Sequence, residues 1–204
     1  MRSKAFAMLL PLAIACKREA PSTSDTSSSG GSLTAADTGS RSKAMPLQIT
    51  SSAFQPGGSI PARYTCEGQD ISPPLAWSGG PANAQSYALI MDDPDAPDPA
   101  KPKGVFVHWV AYNIPASTTS LAENASKTGL AKGAEQGKNN WDKTEYGGPC
   151  PPIGRHRYFF KVYALDAVLT GLSSPKKADL ERAMKGHVIA SGEMIGTYQK
   201  AGKK

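Results

Sequence analysis

Turn residues punctuate this chain so often beyond residue 45 that long helices have little room. Pro56-Gly57-Gly58, Ser78-Gly79-Gly80-Pro81 and Gly147-Gly148-Pro149 each mark a turn. Gly (20) and Pro (17) together account for 37 of 204 residues, which favours a turn-rich, mainly β fold over a helical bundle. The runs between the turns have strand length. Ser86 to Met91 is apolar and ends in an acidic, Pro-rich segment; Val105 to Tyr112 and Tyr158 to Leu165 are rich in β-branched and aromatic residues. From Val188 to Gln199 the even positions are apolar or small, and the odd ones from Ser191 onward are polar, with Ile195 the exception. A period of two argues for a strand. One helix is expected, Pro175 to Lys185, capped by Ser174 and left at Gly186. Few helices and many short strands predict a two-sheet antiparallel β-sandwich.

Other classes are excluded. No Gly-x-y period or heptad runs through the chain, and its one unbroken apolar stretch is short and N-terminal. That stretch reads as a signal sequence over residues 1–15: Arg2 and Lys4 give a positive start, and Ala5 to Ala15 an apolar core too short to span a bilayer. Cys16 follows Leu12-Ala13-Ile14-Ala15, an arrangement that resembles the lipobox of bacterial lipoproteins, in which the Cys becomes the acylated first residue. Ala13 stands where Leu is usual, and Pro11 interrupts the apolar core. An ordinary cleaved signal with an incidental Cys is the other reading; both export the protein, to the periplasm or cell envelope of a bacterium. Residues 21–42 hold 12 Ser or Thr among 22, a composition that buries too little surface to order itself. Residues 16–44 are therefore expected to form a flexible tether behind a lipidated Cys16, and residues 45–204 one folded domain. The whole chain carries a formal charge of +6, and removing residues 1–15 takes away two cations and no acid, leaving +4. So small a charge gives no argument for a nucleic-acid partner.

Three clusters carry chemistry. Asp93 and Asp95, in Asp92-Asp93-Pro94-Asp95-Ala96-Pro97, follow a buried strand two residues apart, so both are expected toward one side of its end. His108 lies inside an apolar strand and is expected to share a face with Phe106, Val110 and Tyr112. The Gly147-Gly-Pro-Cys-Pro-Pro-Ile-Gly154 loop leads into Arg155-His156-Arg157-Tyr158, where His156 and Tyr158 face one way and Arg157 the other. Each has a plain structural reading: a turn for Asp-Pro-Asp, a core histidine for His108, an ion pair to an Asp for Arg157.

Taken together, Asp93-Pro-Asp-Ala-Pro97, His108-Trp-Val110 and Gly148-Pro-Cys-Pro-Pro-x-Gly-x-His-Arg-Tyr158 resemble the signature segments of the phosphatidylethanolamine-binding protein family, most closely its bacterial branch described as Raf kinase inhibitor-like. Supporting segments are Ile60-Pro61, Tyr64 to Gly68, Asp70 to Trp77 and Asn113-Ile-Pro115, so the resemblance runs in family order from about Ile49 to Gln199. It implies a β-sandwich with a small anion pocket at one end, formed by Asp93, Asp95, His108, Pro149, His156 and Tyr158. The implied ligand is a small phosphate- or carboxylate-bearing group.

Carboxylates repel anions, so an arrangement is needed that reconciles the two. An Asp accepting a hydrogen bond from one imidazole nitrogen would fix the tautomer and leave the other nitrogen as a donor to the ligand. Tyr158 would add a donor. No nucleophile elbow, zincin helix, phosphate loop or Cys-x-x-Cys is present, so reversible binding without a cofactor is expected rather than turnover. Two enzymatic readings remain: a hydrolase using the His/Asp cluster, with or without a metal, and a Cys150 thiolate activated by His156. The remaining alternative is a protein-interaction or protease-inhibitor module. With Cys16 assigned to the anchor, Cys66 and Cys150 are left as a pair, and export makes a disulfide between them the natural expectation.

Overall fold

The three apolar runs and the alternating C-terminal segment form four adjacent strands of one sheet. The structure, a computed structural model, describes residues 46–201. The expected signal sequence, Cys16 anchor and tether all lie outside the described residues. In chain order the elements are β1 (Gln48–Thr50), a 3-10 turn (Ala62–Tyr64), β2 (Leu75–Ser78), β3 (Ser86–Asp93), β4 (Phe106–Pro115), β5 (Ser120–Leu121), α1 (Ala125–Thr128), β6 (Glu135–Gln136), β7 (His156–Leu165), α2 (Lys177–Met184) and β8 (Val188–Tyr198). Two antiparallel sheets result, β1-β2-β5 and β6-β4-β3-β7-β8.

All eight residues of β3 are buried, because the strand is central and both its faces are covered. On one side Leu89 and Met91 pack with Trp109, Phe160, Ile49 and Trp77, the core between the sheets. On the other, Ala88 and Ile90 join Val110, Tyr112, Leu180 and Met184 beneath α2. Burying Leu180 alone contributes roughly 1.5–3 kcal/mol. Asp92 points to this second side, fully buried between the ammonium groups of Lys161 and Lys177, and so ties the start of α2 to β3. Asp93, one residue on, points to the opposite side, where the candidate site lies.

The expected helix is two residues shorter at its start. Lys176, not Ser174, is the N-cap and makes no side-chain cap bond. Ser174 has φ 46° and stands outside the helix; Pro175 and Lys176 instead meet Lys138, whose N–H donates to Pro175 O. The chain leaves the helix through Gly186 at φ 89°, as expected. The alternation of β8 holds from Ala190 to Tyr198, but Val188 is exposed.

The consequential departure is in β4. Met91 pairs with Trp109, yet Asp92 pairs with Val107, so His108 has no residue opposite it. One extra residue in a strand shifts the phase of everything beyond it. His108 therefore shares a side with Phe106, their ring centroids 5.3 Å apart, while Val110 and Tyr112 turn to the α2 side and Trp109 and Ala111 to the inter-sheet core. The expected common face of His108 with Val110 and Tyr112 is thus wrong, and the bulge is the reason.

Candidate functional site

Four of the six expected site residues converge at one end of the large sheet. Asp93 ends β3, His156 and Tyr158 start β7, and the bulge delivers His108 from β4. His156 Nδ1 lies 2.7 Å from Asp93 Oδ2, a bond between residues 63 apart in sequence. The imidazoles of His108 and His156 flank Tyr158, with ring centroids 5.2 Å and 6.4 Å from its own.

The two imidazoles have different jobs. His156 meets the Asp93 carboxylate through Nδ1 and the Ile153 carbonyl through Nε2 at 3.0 Å, so both nitrogens face acceptors. The expectation that the Asp-bonded imidazole keeps one nitrogen for a ligand therefore fails for His156. His108 donates Nδ1–H to Gly147 O at 2.7 Å, a backbone carbonyl rather than a carboxylate. That bond fixes the tautomer and leaves Nε2 as the nitrogen available to a ligand. Burial pushes the His108 pKa below its ordinary 6.5, against the opposing pull of the Gly147 carbonyl and the nearby carboxylates.

Tyr158 is fully buried, and its hydroxyl has no hydrogen-bond partner. Burial, then the charges of Asp93 and Asp95, hold its pKa far above the usual phenol value, so it keeps its proton and remains a donor. A buried polar group without a partner costs about 1–3 kcal/mol, which is why such groups are rare.

Asp95 and Pro149 do not face this centre through their functional groups. Asp95 accepts from the Arg157 backbone N–H (2.9 Å), Nε (2.9 Å) and a terminal guanidinium nitrogen (2.7 Å). That guanidinium bond is the main reason its pKa is lowered. The ion pair expected for Arg157 is present, and Asp95 anchors the loop through it. The Asp95 N–H closes the turn by donating to Asp93 Oδ1 at 2.8 Å.

Pro149 belongs to a strap beneath the site. Its carbonyl accepts from Cys66 N–H, Gly148 N–H donates to Asp70 Oδ1, and Tyr146 Oη donates to Tyr64 O. Cys66 and Cys150 are joined by a disulfide across 84 residues of sequence, with Cα atoms 5.4 Å apart. The disulfide removes the Cys150 thiolate, and the nucleophile reading goes with it.

Sequence reasoning gave three participants no role at the site. Trp141 covers His108, with ring centroids 5.2 Å apart, and also packs edge-on to Phe106 at 4.7 Å. Gly147 carries the carbonyl that orients His108. Asp70 holds the strap through Gly148. A lone Trp in the polar run Lys138 to Lys143 was the available signal for the first. The segment from Asn124 to Trp141, which carries Lys127, Lys132 and Lys138, reaches the site at its last residue, whereas Lys127 is bonded to the Asp70 carbonyl at 2.8 Å.

A cavity of about 220 Å³ adjoins the site, lined among others by Trp141, Tyr146, Gly147, Gly148 and the disulfide. A wider groove, about 950 Å³, runs along β8, but its cations Arg157 and Lys161 are already paired with Asp95 and Asp92. Among the described residues no group of three or more His, Cys, Asp and Glu is placed to hold a metal ion.

Comparison with known proteins agrees with this architecture. Residues 50–199 match the family model described as phosphatidylethanolamine-binding protein. The chain is 48% identical over 155 residues to a UPF0098 protein of Methanothermobacter thermautotrophicus, covering 76% of this chain and 99% of that one. It is 44% identical over 154 residues to a UPF0098 protein of Chlamydia trachomatis, covering 76% and 99%. Among solved structures it resembles a phosphatidylethanolamine-binding protein homolog from Chlamydia trachomatis (TM-score 0.70, 43% identity, 76% of this chain and 99% of that one). It also resembles YbcL of E. coli, described as a member of the mammalian PEBP family (TM-score 0.70, 33% identity, 77% and 100%).

Proposed function

The chain belongs to the phosphatidylethanolamine-binding protein family, and from that premise we propose that its domain reversibly binds a small phosphate- or carboxylate-bearing group at His108 and Tyr158. One observation carries the reading: the Tyr158 hydroxyl is buried without a partner beside an imidazole whose Nε2 is uncommitted. An anionic oxygen supplies the acceptor that the hydroxyl lacks, and a protonated His108 is the second donor. Asp93, next to the site, is engaged by His156, which tempers its repulsion of an anion. Asp95 is likewise paired with Arg157. The protein's part is to hold the two donor side chains in place on β4 and β7, which lowers the ordering cost of binding.

The test is an NMR titration of histidine-labelled protein with inorganic phosphate and with phosphoethanolamine. The reading expects the His108 ring resonances to move with saturation and His156 to follow weakly. If neither imidazole responds to any anion up to tens of millimolar, the reading fails.

We also propose that the protein is exported and held at the membrane by a lipid on Cys16. The N-terminal pattern supports this, and so does the Cys66–Cys150 disulfide, since such bonds persist in oxidising compartments. Cys16→Ser is expected to move the protein from the membrane fraction to the soluble one, and unchanged partition would refute the anchor.

A further inference from the structure

We propose that Trp141 is the access-controlling residue of the His108–Tyr158 site: its indole closes the approach to His108 Nε2 and must turn outward before an anion reaches the two donors. The inference rests on the anion-binding reading for its purpose, though not for its test. Three rings touch His108, and they lie at different depths. Tyr158 is fully buried and Phe106 half-buried, whereas Trp141 is 43% exposed and forms the outer cover. Beneath this cover His108 retains only 3% exposure.

The backbone under the indole is held firmly. Buried Asn139 accepts the N–H groups of Trp141 (2.9 Å) and Lys143 (3.1 Å) at Oδ1 and donates to Glu145 O (2.9 Å). The side chain makes edge contacts to Phe106 and His108 and lies against Gly147, where a Cβ would collide with the ring. A fixed backbone carrying a weakly held, half-exposed ring opens by side-chain rotation alone. The same ring is a wall of the 220 Å³ cavity, so its rotation joins that space to the His108 edge.

The experiment needs no ligand. Diethylpyrocarbonate acylates unprotonated, accessible imidazole nitrogens, and peptide mass spectrometry reads each of the three histidines separately. His187, about half exposed, is the reactive reference. His156, bonded at both nitrogens, is the control for an intact fold. His108 is expected to react slowly in the native chain and at least tenfold faster in Trp141→Ala, with His156 protected in both. Gly147→Ala, whose added Cβ would collide with the indole, is expected to speed His108 in the same direction. Equal His108 rates in the native chain and both variants would overturn the proposal. A faster His108 in Trp141→Ala, with phosphate still leaving its resonances unmoved, would uphold the closure and overturn the anion reading.

Discussion

Tyr158→Phe separates binding from stability in a way few substitutions do. The hydroxyl it removes is fully buried and unpartnered, so in the free protein it costs about 1–3 kcal/mol of desolvation with no bond in return. The phenyl ring that remains still packs between His108 and His156 in the core cluster with Phe160. Part of the gain is lost to the small void left by one oxygen. The net expectation is a variant more stable than the native chain by about 1 kcal/mol. For a domain of this size that is a rise in Tm of roughly 2–4 °C.

Binding moves the other way. A hydrogen bond to a charged acceptor is worth about 1.5–3 kcal/mol, so phosphate affinity should fall by roughly 10- to 150-fold. Thermal unfolding by circular dichroism and phosphate titration by calorimetry, on the same preparation, read both effects. A variant that is destabilised by 1 kcal/mol or more and binds phosphate as the native chain does would refute the reasoning. Its hydroxyl would then have been a structural donor after all.

Three further outcomes follow from the same geometry. Anion binding should weaken as pH rises: the anion needs a proton on His108, whose pKa burial holds below 6.5. Affinity should be greatest below that value and decline by up to about tenfold per pH unit above it; sulfate, whose charge is constant over this range, is the probe, and a flat profile would remove His108 as a donor. Asp95→Asn should cost on the order of 1–3 kcal/mol at neutral pH by breaking the Arg157 pair. The native carboxyl titrates below its ordinary 3.8, so its contribution is present above that value and lost as pH falls through the lower folded one; the gap between variant and native stability should close in urea melts below about pH 4. Replacing Cys66 and Cys150 together by Ser should cost about 2–5 kcal/mol in the same melts, and a negligible change would mean that the hydrogen bonds of the strap suffice to hold it.

What the sequence made legible followed from how much each segment alternates. β8 has one buried side, so its period of two exposes its phase, and the expected strand from Val188 is the observed one. β4 is buried on both sides from Val107 to Asn113. Trp109 to Tyr112 are then apolar without interruption and no alternation records the bulge, so the side on which His108 emerges could not be read. The Asp93–His156 pair spans 63 residues and was reachable only through the motifs that both segments carry. The start of α2 was missed for a tertiary reason: Pro175 O accepts Lys138 N–H, and Lys176 is held in an extended bridge beside Lys138 rather than in a first helical turn. Trp141 was overlooked because a single aromatic residue in a polar loop has no period at all.

The site therefore combines two kinds of group that the motifs alone do not distinguish. Asp93, His156, Asp95, Arg157 and the disulfide satisfy one another and set the geometry; a ligand gains little from them directly. His108 Nε2 and Tyr158 Oη are left over, one freed by a bulge and a backbone carbonyl, the other by burial without a partner. A sequence under selection for stability alone would place Phe at position 158, because the hydroxyl is a net cost in the empty domain. That residue 158 is Tyr, next to a buried imidazole with an uncommitted nitrogen, is the reason to look for the ligand there rather than in the wider groove along β8, whose cations already have partners.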